Sequence, residues 1–237
     1  VNTKELIKAA HQNAVTKGFY TCPECKGVKV YPPCNHTGCY NHISHPCEGC
    51  GRIVGKCPTC DGASEYADIG TLLMRIVTEI SKAVEAHRKN RFALWDLYSR
   101  SVEIQEFPPF EEKAAFSHYI KDTFEDKIAG TFIKLFELYG YLWVDRDIIE
   151  IDEPRELRIA NNKNIPGFLY ECLTVLPRVY QMYVEDEFID SISYFYSVML
   201  YFCTDNKIDI QKHITAKMAY NLTRPPQARR GVLNDNI

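Results

Sequence analysis

The chain has no apolar run long enough to cross a bilayer and no charged-then-apolar leader, so the expectation is a soluble, intracellular, cytoplasmic protein without a membrane partner. It also lacks an excess of positive charge. Twenty-eight Lys and Arg against 31 Asp and Glu give a formal net charge of −3, which supplies no overall field for nucleic acid and makes such a partner an unexpected one. There is no internal repeat and no low-complexity tract, which argues against a solenoid or an extended linker. Outside one short region cysteine is almost missing: Cys172 and Cys203 stand alone and read as small buried apolar side chains.

The other eight of the ten cysteines lie between Cys22 and Cys60, in a stretch where prolines and glycines prevent long regular elements. They form four pairs, Cys22 with Cys25, Cys34 with Cys39, Cys47 with Cys50 and Cys57 with Cys60. A CxxC turn presents two sulfurs on one side of a short loop, and two such knuckles complete a tetrahedral Cys₄ zinc site. Four knuckles therefore imply two structural zinc ions, with no open coordination position for substrate. Elemental analysis is expected to give two zinc per chain, lost on chelation together with the module's fold; a content well below that excludes the assignment.

The rest reads as α-helix. A first helix is expected over residues 3–17, with Asn2 as N-cap and Gly18 closing it, and with His11 and Lys17 on a partly exposed face. A second spans Asp68 to Lys89, with Leu73, Ile76, Val77, Ile80 and Val84 as one apolar stripe. Glu79 and Lys82, three residues apart, share a side of that helix. Asn90 to Glu112 reads as an irregular, aromatic-rich stretch, followed by a helix over about His118 to Trp143 that buries Phe124, Ile128, Phe132, Leu135, Tyr139 and Leu142. Lys127, Gly130, Lys134 and Glu137 follow a second line along it. Arg146 to Pro166 reads as a connecting loop. A helix from Ile165, broken or kinked at Pro177, another over about Asp186 to Cys203, and a last one from Asp209 to before Pro225 complete the chain.

Four segments carry a resemblance to the MazG-like, all-α nucleoside triphosphate pyrophosphohydrolases: His11 to Phe19, Asp68-Ile69-Gly70 with the helix that follows, Asp122 to Leu142, and Lys217-Met218-Ala219-Tyr220-Asn221-Leu222-Thr223-Arg224-Pro225. The resemblance implies a MazG-like helical bundle made of residues 1–19 and 68–237, with residues 20–67 as an inserted zinc module, and it implies self-association. The order of the knuckles also resembles the cysteine-rich region of DnaJ-type chaperones. That likeness implies that Cys22, Cys25, Cys57 and Cys60 share one zinc and Cys34, Cys39, Cys47 and Cys50 the other. Sequential pairing stays open, as does replacement of a thiol by His36, His42 or His45.

The MazG-like family carries ExxE on one helix and ExxD on another, four carboxylates that hold Mg²⁺ against phosphates. At the matching positions this chain has Glu79 and Lys82, then Lys127 and Gly130, so Glu79 is the one acid retained and the local charge moves from about −4 to about +1. Attraction for Mg²⁺ should largely disappear. The expectation is a catalytically weakened or inactive relative in which Lys82 and Lys127 hold a nucleotide's phosphates directly. In the family the C-terminal segment lies by the nucleotide, so Lys217, Asn221 and Arg224 are implied as further contacts to phosphate or sugar. Two other readings are an active Mg²⁺-dependent enzyme releasing pyrophosphate, and an interaction protein whose zinc module contacts a protein partner.

Overall fold

The computed structural model describes residues 3–17, 19–20, 68–103, 109–143, 164–184 and 188–224. The eight knuckle cysteines, the connecting stretch 144–163 and residues 225–237 lie outside these, and with them every expectation about the zinc module. Every regular element among the described residues is an α-helix: α1 Thr3–Thr16, α2 Ile69–Arg88, α3 Trp95–Glu103, α4 Pro109–Tyr119, α5 Phe124–Trp143, α6 Ile165–Val184, α7 Phe188–Asp205 and α8 Ile210–Leu222. None is long and apolar enough to cross a membrane. The chain divides into one compact unit of Val1–Asn13 with Ile69–Ile237 and a second of Ala14–Asp68.

The larger unit is built on α2 and α5. Arg75 meets Glu137 while Glu79 meets Gly130, so the two helices run antiparallel. On α2 the buried side chains are Ile69, Leu72, Leu73, Ile76, Ile80, Ala83 and Ala86. The stripe is therefore turned from the expected one: Val77 and Val84 are only half-buried, and the alanines allow close approach instead. On α5, Phe124, Ile128, Phe132, Leu135 and Tyr139 are buried as expected, joined by Ile133, Phe136 and Leu138. Full burial of side chains such as Ile76, Ile80, Phe132 and Phe136 contributes about 1.5–3 kcal/mol each. Helix α8 packs on α5, α6 on α2, α7 on α6, and α4 on both α3 and α8.

His11 corrects its sequence reading. It is 3 % exposed and lies on the bare backbone of Gly140, where a methyl group would stand 2.4 Å from its Cβ. Glycine at 140 is what lets α1 approach α5 so closely.

The helix boundaries correct three more expectations. Asn90 to Glu112 is not irregular throughout, since α3 lies within it and α4 begins at Pro109, a residue suited to a helix's first turn. Tyr98 of α3 is buried against Phe116, Ile120 and Ala216, which makes a small aromatic core with Trp95 and Tyr220 beside it. His118 to Trp143 is not one helix. Asp122 adopts a left-handed φ of 64°, Thr123 then accepts from the Asp126 N–H at 3.4 Å, and α5 starts afresh. Pro177, which is exposed, sits inside a continuous α6 and neither ends nor divides it.

The end of α2 matters for the site. Asn90 has φ 53°, its N–H donates to His87 O at 2.9 Å, and the N–H of Arg91 donates to Ala86 O at 2.9 Å. These are the paired bonds of a Schellman cap with Asn in the left-handed position. Arg91 O then accepts from the Phe124 N–H at 2.8 Å, so the turn after α2 is tied to the start of α5.

Candidate functional site

Three helices converge where the altered acidic motifs were expected. From α8, Lys217 sends its Nζ between α2 and α5, donating to the backbone O of Asp126 at 2.7 Å and standing 2.9 Å from Asp126 Oδ1 and 3.9 Å from Glu79 Oε2. Asp126 is 2 % exposed, and its Oδ1 accepts no hydrogen bond, so the Lys217 ammonium is the charge that compensates that oxygen. Its Oδ2 accepts from the Asp122 N–H at 3.0 Å and lies 3.2 Å from Lys127 Nζ. Glu79 accepts from Lys82 at 2.8 Å on Oε1.

Gly130 explains how these groups fit. A methyl at 130 would stand 2.4 Å from Glu79 Oε2 and 2.9 Å from Lys217 Nζ, so both polar ends rest on the glycine's bare backbone. An acidic side chain there has no room while Glu79 and Lys217 hold these positions. The charges continue along the seam: Glu137, 2 % exposed, accepts from Lys134 at 2.5 Å and lies 3.1 Å from Arg75 Nη2. Burial lowers the pKa of Lys134, with the Glu137 carboxylate acting against it. Among the ion pairs of the described residues, four carboxylates, of Glu79, Asp122, Asp126 and Glu137, face five cations, of Arg75, Lys82, Lys127, Lys134 and Lys217, so these nine groups sum to +1.

Outside the seam, an open groove of about 690 Å³ runs along α2 and past the start of α5. Met74, Val77 and Ala86 give it an apolar strip. Lys82, Lys89, Arg91 and Lys127 line it as cations, against the carboxylates of Glu85 and Asp122. Lys127 is bonded to Asp122 and to Asp126; burial alone would lower its pKa, but these two neighbouring carboxylates outweigh burial and raise it, so it is a cation at neutral pH. Lys127 in turn lowers the pKa of the half-exposed Asp122.

Of the residues singled out in the sequence, Glu79, Lys82, Lys127 and Lys217 come together, but Lys217 points inward at carboxylates rather than into the groove. Asn221 is four residues further along, about 6 Å down the axis of α8, Arg224 follows the end of that helix, and neither lines the groove. Two residues were missed. Asp126 stands four before Gly130, hence on the same face of α5, and three after the capping Thr123; that pattern is the signal that could have found it. Arg91 follows Asn90, an αL-tolerant residue at a helix end. Among the described residues no cluster of three or more His, Cys, Asp or Glu is set to hold a metal. Compared with known proteins, the chain matches no family model, no curated protein and no solved structure.

Proposed function

We propose that this chain is a MazG-like helical protein that binds a phosphate-bearing ligand, a nucleotide in the first instance, without hydrolysing it, and that its cysteine-rich insertion carries two structural zinc ions. The observation that carries the reading is the groove wall, where four cationic side chains, Lys82, Lys89, Arg91 and Lys127, stand against two carboxylates beside an apolar strip. Phosphate suits such a surface because ammonium and guanidinium groups make charge-assisted hydrogen bonds to its oxygens. The apolar strip suits a base or another flat group.

The residues present do not fit the Mg²⁺ that the resemblance implies. Mg²⁺ takes hard oxygen ligands in near-octahedral order, yet Asp126 and Glu79 already face the Lys217 ammonium, with Lys82 and Lys127 on their other oxygens. Each unit charge of like sign about 4 Å away opposes a cation by roughly 4 kcal/mol at an effective dielectric near 20. Lys217 thus supplies from within the chain the positive charge that the acids need.

The test is calorimetric titration of the zinc-loaded full chain with nucleoside triphosphates in Mg²⁺-free buffer. Lys82 is exposed, so Lys82→Glu is expected to leave folding intact and weaken binding about tenfold or more, near 1.4 kcal/mol. Lys127→Gln is expected to weaken binding by a similar factor and, because Lys127 also faces the buried Asp126, to lower stability as well. Unchanged affinity in both variants would sink the proposal.

A further inference from the structure

The groove's cations are not equivalent. Lys82 is bonded to Glu79, Lys89 to Glu85, and Lys127 to Asp122 and Asp126. The guanidinium of Arg91 enters no hydrogen bond, ion pair or ring contact among the described residues. It is exposed and lines the groove, while its backbone is held on both sides, by the Schellman cap of α2 and by the bond from the Phe124 N–H. A planar fork of donors on a fixed backbone, with its charge uncommitted, is suited to receiving two oxygens of one phosphate.

The two carboxylates on Lys127 also differ. Asp126 is buried, holds the Asp122 N–H and faces Lys217, so it cannot leave without undoing the seam. Asp122 has a side chain 53 % exposed and sits in the left-handed turn before α5, where its carboxylate reaches Lys127 from the solvent side. Asp122 and Lys127 both line the groove, so their ion pair lies on its wall. Resting on the phosphate-binding reading, we propose that Arg91 is the anchor for the ligand's phosphate and that Asp122 is an exchangeable carboxylate which the ligand displaces from Lys127.

Such an arrangement predicts opposite signs for two substitutions of neighbouring residues. Asp122→Asn keeps a residue that tolerates the left-handed φ but removes the competing charge. Titrations of the zinc-loaded full chain with ATP and with inorganic tripolyphosphate, in Mg²⁺-free buffer, are expected to show binding to Asp122→Asn about three- to tenfold tighter than to the native chain. Arg91→Gln should bind both probes about tenfold or more weakly, with an unchanged melting temperature in the absence of ligand. Tight native binding that neither substitution alters, or weaker binding to Asp122→Asn, overturns this assignment while leaving the groove's function standing. No binding of either probe to the native chain or to Asp122→Asn overturns both.

Discussion

Lys217→Met is expected to destabilise the protein by about 3 kcal/mol, a large part of the stability of an ordinary domain. The methionine fills much of the same volume, so the loss is not one of packing. It arises because the buried Asp126 carboxylate loses the ammonium 2.9 Å from its Oδ1, and that oxygen has no hydrogen bond to fall back on. The remaining partner, Lys127, stands on the other oxygen at 3.2 Å and offsets only part of the cost. Urea unfolding of the full chain measures the difference. The double variant Lys217→Met with Asp126→Asn should recover a substantial share of it, giving a coupling energy above about 1 kcal/mol. Additive effects would mean that the two side chains do not compensate one another.

Acidification is expected to weaken the fold in a window set by His213. This side chain is 4 % exposed, its ring meets that of Trp95 edge-on at 4.8 Å, and its Nδ1 has no hydrogen-bond partner. Burial pushes its pKa down to about 4, and the nearby Lys212 charge adds to this against the opposing influence of Asp209 and Asp126. The unfolded chain takes up a proton at this residue near pH 6.5, the folded chain only near pH 4. Between those values the unfolded state binds more protons, so stability falls as the pH is lowered from about 6.5 to about 4 and levels off below, by about 3 kcal/mol in all. Asp122 acts in a different window: its lowered pKa contributes stability that is present above its ordinary value of 3.8 and is lost only below it. Unfolding free energies at pH 7 and pH 4.5 for the native chain and for His213→Leu separate the contributions. The pH dependence should be visibly flatter in the variant, and equal slopes would exclude His213 as the cause.

Local chemistry made some elements legible in the sequence and hid others. Helices α1, α2 and α8 combine an apolar period with good ends; the last is expected from Asp209, which is its N-cap, accepting from the Lys212 N–H at 3.4 Å. The helices α3 and α4 were obscured because Pro109 reads as punctuation when it is in fact a first-turn residue, and because α3 has only nine residues over which a period can show. The division between α4 and α5 rests on one left-handed residue, Asp122, and no propensity scale assigns that conformation strongly to aspartate. Pro177 misled in the opposite direction: at an exposed position its missing N–H costs the helix a bond without ending it.

The candidate site divides in the same way. Glu79 and Lys82 share a helix face by their spacing, whereas Lys127 is singled out only through the resemblance to the second acidic motif. The direction of Lys217 was not legible, since its long side chain can reach either a ligand or a carboxylate, and only the approach of α8 to α5 decides which. Asp126 lies one position before Lys127, off the line of Lys127 and Gly130, yet the packing of α8 turns its face into the seam. The use of Gly130 also depends on tertiary contact, because the sequence reveals a small residue but not the two charged ends lying on it.

The central claim is that a lysine-neutralised seam leaves a groove that binds phosphate without a divalent cation and without turnover. Its most direct test is a calorimetric titration of the zinc-loaded chain with a panel of nucleoside triphosphates, with and without Mg²⁺, followed by a pyrophosphate assay of the same samples. Binding that is equal or tighter without Mg²⁺, with no pyrophosphate formed, is the predicted result. Release of pyrophosphate that depends on Mg²⁺ and disappears in Glu79→Ala would contradict it.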